Sequence, residues 1–271
     1  MKNGIDTGTL TCASKSGVKI IDNVRIEVPL GRAYALLGQD ARAKRLVMRF
    51  AAANLKNVTL ADDESKLCGL PLPPRAAYVF DLDRLFSFMT CREYLRYSFG
   101  GLKMGKEKLE ERIDGLLGAA CLNRRADRKI SALSDAEYLC LCVAFSMAQD
   151  PSNVLINADT LSCCKENREL VNKLIFGLKM ENKAVLINIS DPRLCGNSID
   201  TVGIMDGGSI VLEGDPSKLA AGDPKAYSIK GEGSVGELRD KFNEISQKYG
   251  VRIRGIKKPT LNSVYKKIVE K

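Results

Sequence analysis

AYALLGQDARAKRLVMRFAA, residues 33–52, is the stretch whose reading decides the fold. Its first six residues are a continuous apolar run, the pattern of a strand buried on both faces. Gly38 ends the run, and AKRLVMRFAAANL follows with apolar residues at helical spacing. Strand, tight loop and helix, in that order, let backbone N–H groups surround a phosphate. Gly38 and Lys44 fit such a loop, but Gln39, Asp40, Ala41, Arg42 and Ala43 lie between them, and Arg45 and Leu46 follow.

At 271 residues the chain is long enough for one main domain with a small appendage. A formal net charge of +9 points to an acidic partner, an anionic membrane surface or nucleic acid. The densest basic runs, KKPTLNSVYKK and NRRADRK, read as solvated faces, so nucleic acid is not supported as a partner. The chain lacks both an apolar run of membrane-spanning length and, in MKNGIDTGTLTCASKSG, the apolar core of a signal peptide, so a cytosolic location is expected. The nine cysteines form no Cys-x-x-Cys pair and read as buried free thiols in a reducing compartment rather than a metal site. With no histidine, chemistry that uses an imidazole is excluded.

Outward from residues 33–52, VKIIDNVRIEVP (18–29) alternates apolar and polar, as in antiparallel edge strands. AAYVF (76–80), NVLIN (153–157) and AVLINIS (184–190) are further buried-strand runs. KEKLEERIDGLLGAACL, SDAEYLCLCVAFSMAQ and ENRELVNKLIFGLK read as helices between them, with Ser134 as an N-cap and Glu137 completing a capping box. This alternation predicts an α/β fold, a mostly parallel sheet with helices on both faces. TVGIMDGGSIVLEGDP adds two short strands across an Asp-Gly-Gly turn. The expected organisation is a main domain over 1–223, with a helical subdomain at about 84–150, and a C-terminal subdomain over 224–271 built from a helix, the strand VRIRGI and a last helix after Pro259.

The order of these segments over about residues 8 to 222 resembles the nucleotide-binding subunit of an ATP-binding cassette (ABC) transporter. The resemblance implies a P-loop NTPase fold of ABC type, with a mixed sheet, an antiparallel β edge and a helical subdomain. It also implies a partner cassette, an integral membrane permease and a peripheral position on the inner face of the cell membrane. The family's phosphate loop, G-x-x-G-x-G-K-S/T, corresponds to residues 38–46; alanines stand at two glycine positions and Arg45 replaces the hydroxyl that binds Mg²⁺. Alanine at a left-handed position costs on the order of 1 kcal/mol, which weakens nucleotide binding without forbidding it. Two arrangements remain open: Lys44 and Arg45 neutralise phosphate without metal, or Asp40 and nearby basic groups fill an empty loop.

Asp81 stands at the family's glutamine-loop position; an aspartate can bind metal, but this one has no companion ligand nearby in the sequence. Phe86, Phe88, Met89, Tyr94 and Tyr97 resemble the region that receives the permease; four aromatics within twelve residues favour an exposed groove. Leu133, Ser134, Asp135, Ala136 and Glu137 replace the L-S-G-G-Q signature, putting two carboxylates where a partner's triphosphate would press. Asn157 replaces the aspartate that holds Mg²⁺, Ala158 replaces the glutamate that deprotonates the attacking water, and Cys164 takes the last aspartate position of that segment. Ser190 stands at the switch histidine, and Ser16 where an aromatic stacks on adenine. IKKPTLNSVY, 256–265, resembles the tail of exporter subunits. The expectation is a degenerate subunit, inactive alone, with weak ATP binding and no Mg²⁺ of its own, beside a competent second cassette. The alternative is a cassette that binds ATP and hydrolyses it slowly or not at all.

Overall fold

The computed structural model describes residues 4–14, 17–52, 59–61, 76–79, 84, 86–100, 104–221 and 260–269. The alternating stretch at 18–29 supplies edge strands. β1 (Ile5–Asp6) lies antiparallel to β4 (Glu27–Val28), while β2 (Leu10–Ala13) lies between antiparallel β3 (Lys19–Val24) and parallel β6 (Thr59–Ala61).

The apolar runs form the main sheet. Its strands are β5 (Ala33–Gly38), β7 (Ala76–Val79), β8 (Asn153–Asn157), β9 (Ala184–Asn188), β10 (Thr201–Asp206) and β11 (Ser209–Gly214). The spatial order is β11-β10-β5-β9-β8-β7, and every neighbouring pair is parallel except β10 with β11. That antiparallel pair turns at Gly207 and Gly208, both at positive φ, as the Asp-Gly-Gly signal requires.

Both faces of this sheet are covered, which is why its strands read as unbroken apolar runs. Along β5, Ala33, Ala35 and Leu37 point into one core, and Tyr34 and Leu36 into the other. On β9, Val185 and Ile187 alternate in the same way with Ala184 and Leu186. Each leucine or isoleucine buried here contributes about 1.5–3 kcal/mol relative to exposure. The smaller core lies between the sheet, the edge strands and α1 (Ala41–Ala52).

The larger core receives α2 (Cys91–Ser98), α3 (Lys106–Ala119), α4 (Asp135–Ser146) and α5 (Lys165–Met180). Helix α4 buries Ala136, Tyr138, Leu139, Cys140, Leu141, Val143 and Ala144, nearly all its circumference, as a central helix must. Two short helices, α6 (Pro216–Ala221) and α7 (Leu261–Val269), touch each other, and Leu261 and Tyr265 of α7 enter the larger core. The helix read at 235–250 and the strand read at 251–256 fall outside the described residues. Every described cysteine is a free thiol, but burial holds only for Cys12, Cys91 and Cys140; Cys142, Cys163 and Cys195 are half-buried, and Cys121 and Cys164 are exposed.

Candidate functional site

In open α/β sheets, ligands collect outside the carboxyl ends of the strands. That edge consists here of the β5–α1 turn and the residues just after β8 and β9.

Only Gln39 and Asp40 separate β5 from α1, because the helix begins at Ala41. Asp40 Oδ1 accepts the N–H of Ala43 at 2.9 Å, and the Asp40 carbonyl accepts that of Lys44 at 3.1 Å. Ala41 and Ala43 are therefore helical, and the left-handed strain expected of alanine in a glycine loop does not arise. Gly38 does need to be glycine, with φ at +151°, and a Cβ there would lie 2.6 Å from the Met205 carbonyl oxygen of β10. Gln39, Arg42 and Arg45 are exposed, and Leu46 is in the core.

The Lys44 side chain is fully buried, at 0% exposure. Its Nζ donates to Asp159 Oδ1 at 2.5 Å, to the Ile189 carbonyl at 3.2 Å and to Ser190 Oγ at 3.5 Å. Ser190 Oγ in turn donates to Asp159. Burial pulls the Lys44 pKa below its ordinary value, with the Asp159 carboxylate opposing it.

At the end of β8, Asn188 Nδ2 donates to Asn157 Oδ1 at 2.8 Å, and both residues are buried. Ala158 donates its N–H to the Asn188 carbonyl at 2.9 Å and turns its methyl into the larger core at 0% exposure. Cys164 caps α5, its sulfur accepting the N–H of Asn167 at 3.4 Å.

Ser134 caps α4 in the expected reciprocal capping box with Glu137. The two carboxylates of this segment are neutralised locally: Asp135 meets Arg84 at 2.7 Å, and Glu137 meets Arg125 at 2.8 Å. Arg84 also donates to the carbonyls of Leu133 at 2.7 Å and Ile130 at 3.2 Å, with its guanidinium 5.3 Å from the centre of the Tyr138 ring. Leu133 and Ala136 are buried.

The aromatics join one cluster. Phe86 lies within 5.5–6.4 Å of Tyr97, Tyr94 and Phe88, and Phe145 of α4 stacks on Tyr94 at 4.5 Å. Phe88 and Tyr97 are 66% and 59% exposed, Phe86 and Met89 are half-buried, and Tyr94 belongs to the core. At the position of the groove read from the sequence, two exposed rings thus stand beside the buried Tyr94. Asp81 and Ser16 lie outside the described residues.

Sequence reading missed Asp159, Arg84, Arg125 and Phe145. Asp159 had a signal, being the one carboxylate in NVLINADTLSCC. Arg84 had none, because its partners lie 46 to 51 residues away.

No protein-family model matches the chain. It is 26% identical over 245 residues to a Nod factor export ATP-binding protein I of Cupriavidus metallidurans, covering 86% of this chain and 78% of that protein. It is 25% identical over 208 residues to the protein of the same name from Mesorhizobium japonicum, covering 74% of this chain and 60% of that one. Among solved structures, cbiO1 of Clostridium perfringens, part of the ABC transporter complex cbiONQ, matches with a TM-score of 0.66 at 17% identity, covering 91% of this chain and 98% of that one. An ATP-binding cassette of an ABC transporter in its ADP conformation matches with a TM-score of 0.63 at 17% identity, covering 82% and 95%. The fold is that of an ATP-binding cassette, and in sequence the chain is similar to ATP-binding proteins of ABC transporters. No helix among the described residues is long and apolar enough to cross a membrane.

Proposed function

We propose that this chain is the silent cassette of an ABC transporter, pairing with a catalytically competent cassette beneath a membrane permease and leaving ATP hydrolysis to that partner. The observation that carries this reading is Ala158. A catalytic base is needed at the end of β8 to activate water, and the residue there is a methyl group buried in the core.

The neighbouring groups agree. Asn157 is engaged by Asn188, an amide pair with no negative charge to offer a divalent cation. Arg45 sits on the solvent face of α1 at the position of a metal-binding hydroxyl. Lys44 is sealed against Asp159, and the first-turn N–H of Ala43 is taken by Asp40. These residues do not fit a triphosphate with its magnesium ion, and no hydrolytic step is assigned to this chain.

What the chain retains is mechanical. Phe88 and Tyr97 offer an apolar face, which Phe145, stacked against Tyr97, connects to α4. In a paired cassette, α4 would bear on the partner's nucleotide, so a permease on that face and a nucleotide in the partner would act on one rigid body.

Affinity purification of the tagged chain from its native membranes tests this. An integral membrane protein and a second cassette with an intact phosphate loop should co-purify, and ATPase activity of the complex should vanish when the partner's base is removed. Recovery only as an isolated monomer overturns the reading.

A further inference from the structure

An empty phosphate cradle leaves two liabilities, an unpaired lysine and the bare N–H groups of a helix N-terminus. In this chain the lysine is paired and the Ala43 N–H of that terminus is capped. Lys44 Nζ carries three donors, and all three have acceptors in Asp159, Ile189 and Ser190. The Asp40 carboxylate caps α1 through Ala43, at the end of the helix where its dipole favours negative charge. Asp40 also acts electrostatically on Lys44, so two carboxylates flank one buried ammonium.

We propose that Asp159 and Asp40 are built-in replacements for nucleotide phosphate: Asp159 supplies the anion to Lys44 and Asp40 supplies it to the α1 terminus, so the strand-end edge is complete without ligand and closed to it. The proposal rests on the silent-cassette reading and deepens it, since it gives the reason the site is silent to nucleotide as well as to hydrolysis.

The geometry separates this from simple decay. Asp159 is only 12% exposed, and its carboxylate is shared by Lys44 from α1 and Ser190 from beyond β9, so one anion ties the ends of three elements. An incoming polyphosphate must displace that carboxylate from a fully buried partner before gaining any contact with it. Arg42 and Arg45 remain exposed and offer at most a screened attraction.

The test uses the full chain and two readouts. In thermal melts, the wild type should show no shift with millimolar ATP, with or without magnesium, or with sodium tripolyphosphate. Asp159→Ala strands the lysine and should melt roughly 10 °C lower. Tripolyphosphate should then raise its melting temperature by about 5 °C, because an external anion can take the vacated place. Lys44→Met with Asp159→Leu should melt near the wild type and ignore tripolyphosphate.

A wild type stabilised by ATP, with the effect lost in Lys44→Ala, overturns the proposal, as does a folded Asp159→Ala variant that ignores tripolyphosphate. Should Asp159→Ala fail to fold, acetylation of the wild type read by mass spectrometry decides instead. Lys44 should stay unmodified with and without ATP while exposed lysines react; Lys44 that is reactive alone and protected by ATP overturns the proposal. Failure of the silent-cassette reading would show in the absence of co-purifying subunits and would leave both of these readouts unchanged.

Discussion

The Arg84 guanidinium and the Asp135 carboxylate meet at 2.7 Å, joining the segment ahead of α2 to the first turn of α4. The carboxylate is 68% exposed, so the ion pair itself contributes little. The buried side of Arg84 matters more, since it donates to the Ile130 and Leu133 carbonyls. Arg84→Ala should therefore cost about 1–3 kcal/mol, and Asp135→Ala less than about 0.5 kcal/mol, in denaturant unfolding. Equal costs would show that the exposed pair, not the carbonyl contacts, holds the segment.

Restoring the family's acidic residues should not restore turnover. Ala158→Glu with Asn157→Asp puts carboxylates where the native side chains are 0% and 8% exposed. An aspartate at 157 keeps the Asn188 amide as a donor, but a glutamate at 158 enters an apolar core, and burying a carboxyl there costs several kcal/mol and favours its neutral form, which is no base. The double variant should be destabilised by at least about 3 kcal/mol and hydrolyse no ATP alone. Phosphate release above background from folded double variant would show that restored carboxylates suffice and would overturn the closure of the site by Lys44 and Asp159.

Acid should weaken the start of α4. Burial works to raise the Glu137 pKa, but the Ser134 amide and Arg125 outweigh it and hold it below its usual value of 4.5. A depressed carboxyl stabilises the fold fully above its unfolded value, and the contribution is lost as pH falls through the folded one. Stability measured from pH 6 to about pH 3 should fall less steeply in Glu137→Gln than in the wild type. Parallel slopes would remove Glu137 from the acid response.

The aromatic face should divide by depth. Phe88→Ser and Tyr97→Ser alter exposed rings and should move stability by less than about 0.5 kcal/mol while lowering recovery of the membrane subunit. Tyr94→Ala removes a ring stacked on Phe145 and should cost about 3 kcal/mol or more. Unchanged recovery with both exposed rings replaced would place the permease contact elsewhere.

Gly38→Ala tests whether this glycine serves the sheet. The added methyl would lie 2.6 Å from the Met205 carbonyl oxygen, at a φ of +151°. A loss of roughly 2 kcal/mol or more is expected in the absence of any ligand. A neutral result would return Gly38 to the status of a relic of the phosphate loop.

What the sequence disclosed follows the range of the forces involved. β5, β8 and β9 were legible because burial on both faces demands unbroken apolar runs, and such runs are local. The Ser134–Glu137 box was legible because its partners are three residues apart. The Lys44–Asp159 pair spans 115 residues and depends on β5, β9 and β8 lying side by side, an order that no local pattern encodes. The early start of α1 was hidden for a related reason: Asp40 reads equally well as a loop residue or as a cap, and only the position of the helix decides between them.

The Lys44–Asp159 pair also bears on the history of the chain. Either partner lost alone leaves a charge stranded at the strand ends, so single substitutions in both directions pass through a less stable intermediate. Acidic ligands regained at 157 and 158 would still face a lysine already committed elsewhere. If the cassette is silent as proposed, that contact turns the silence into a ratchet, since a return to a working ATPase would need coordinated change at distant codons.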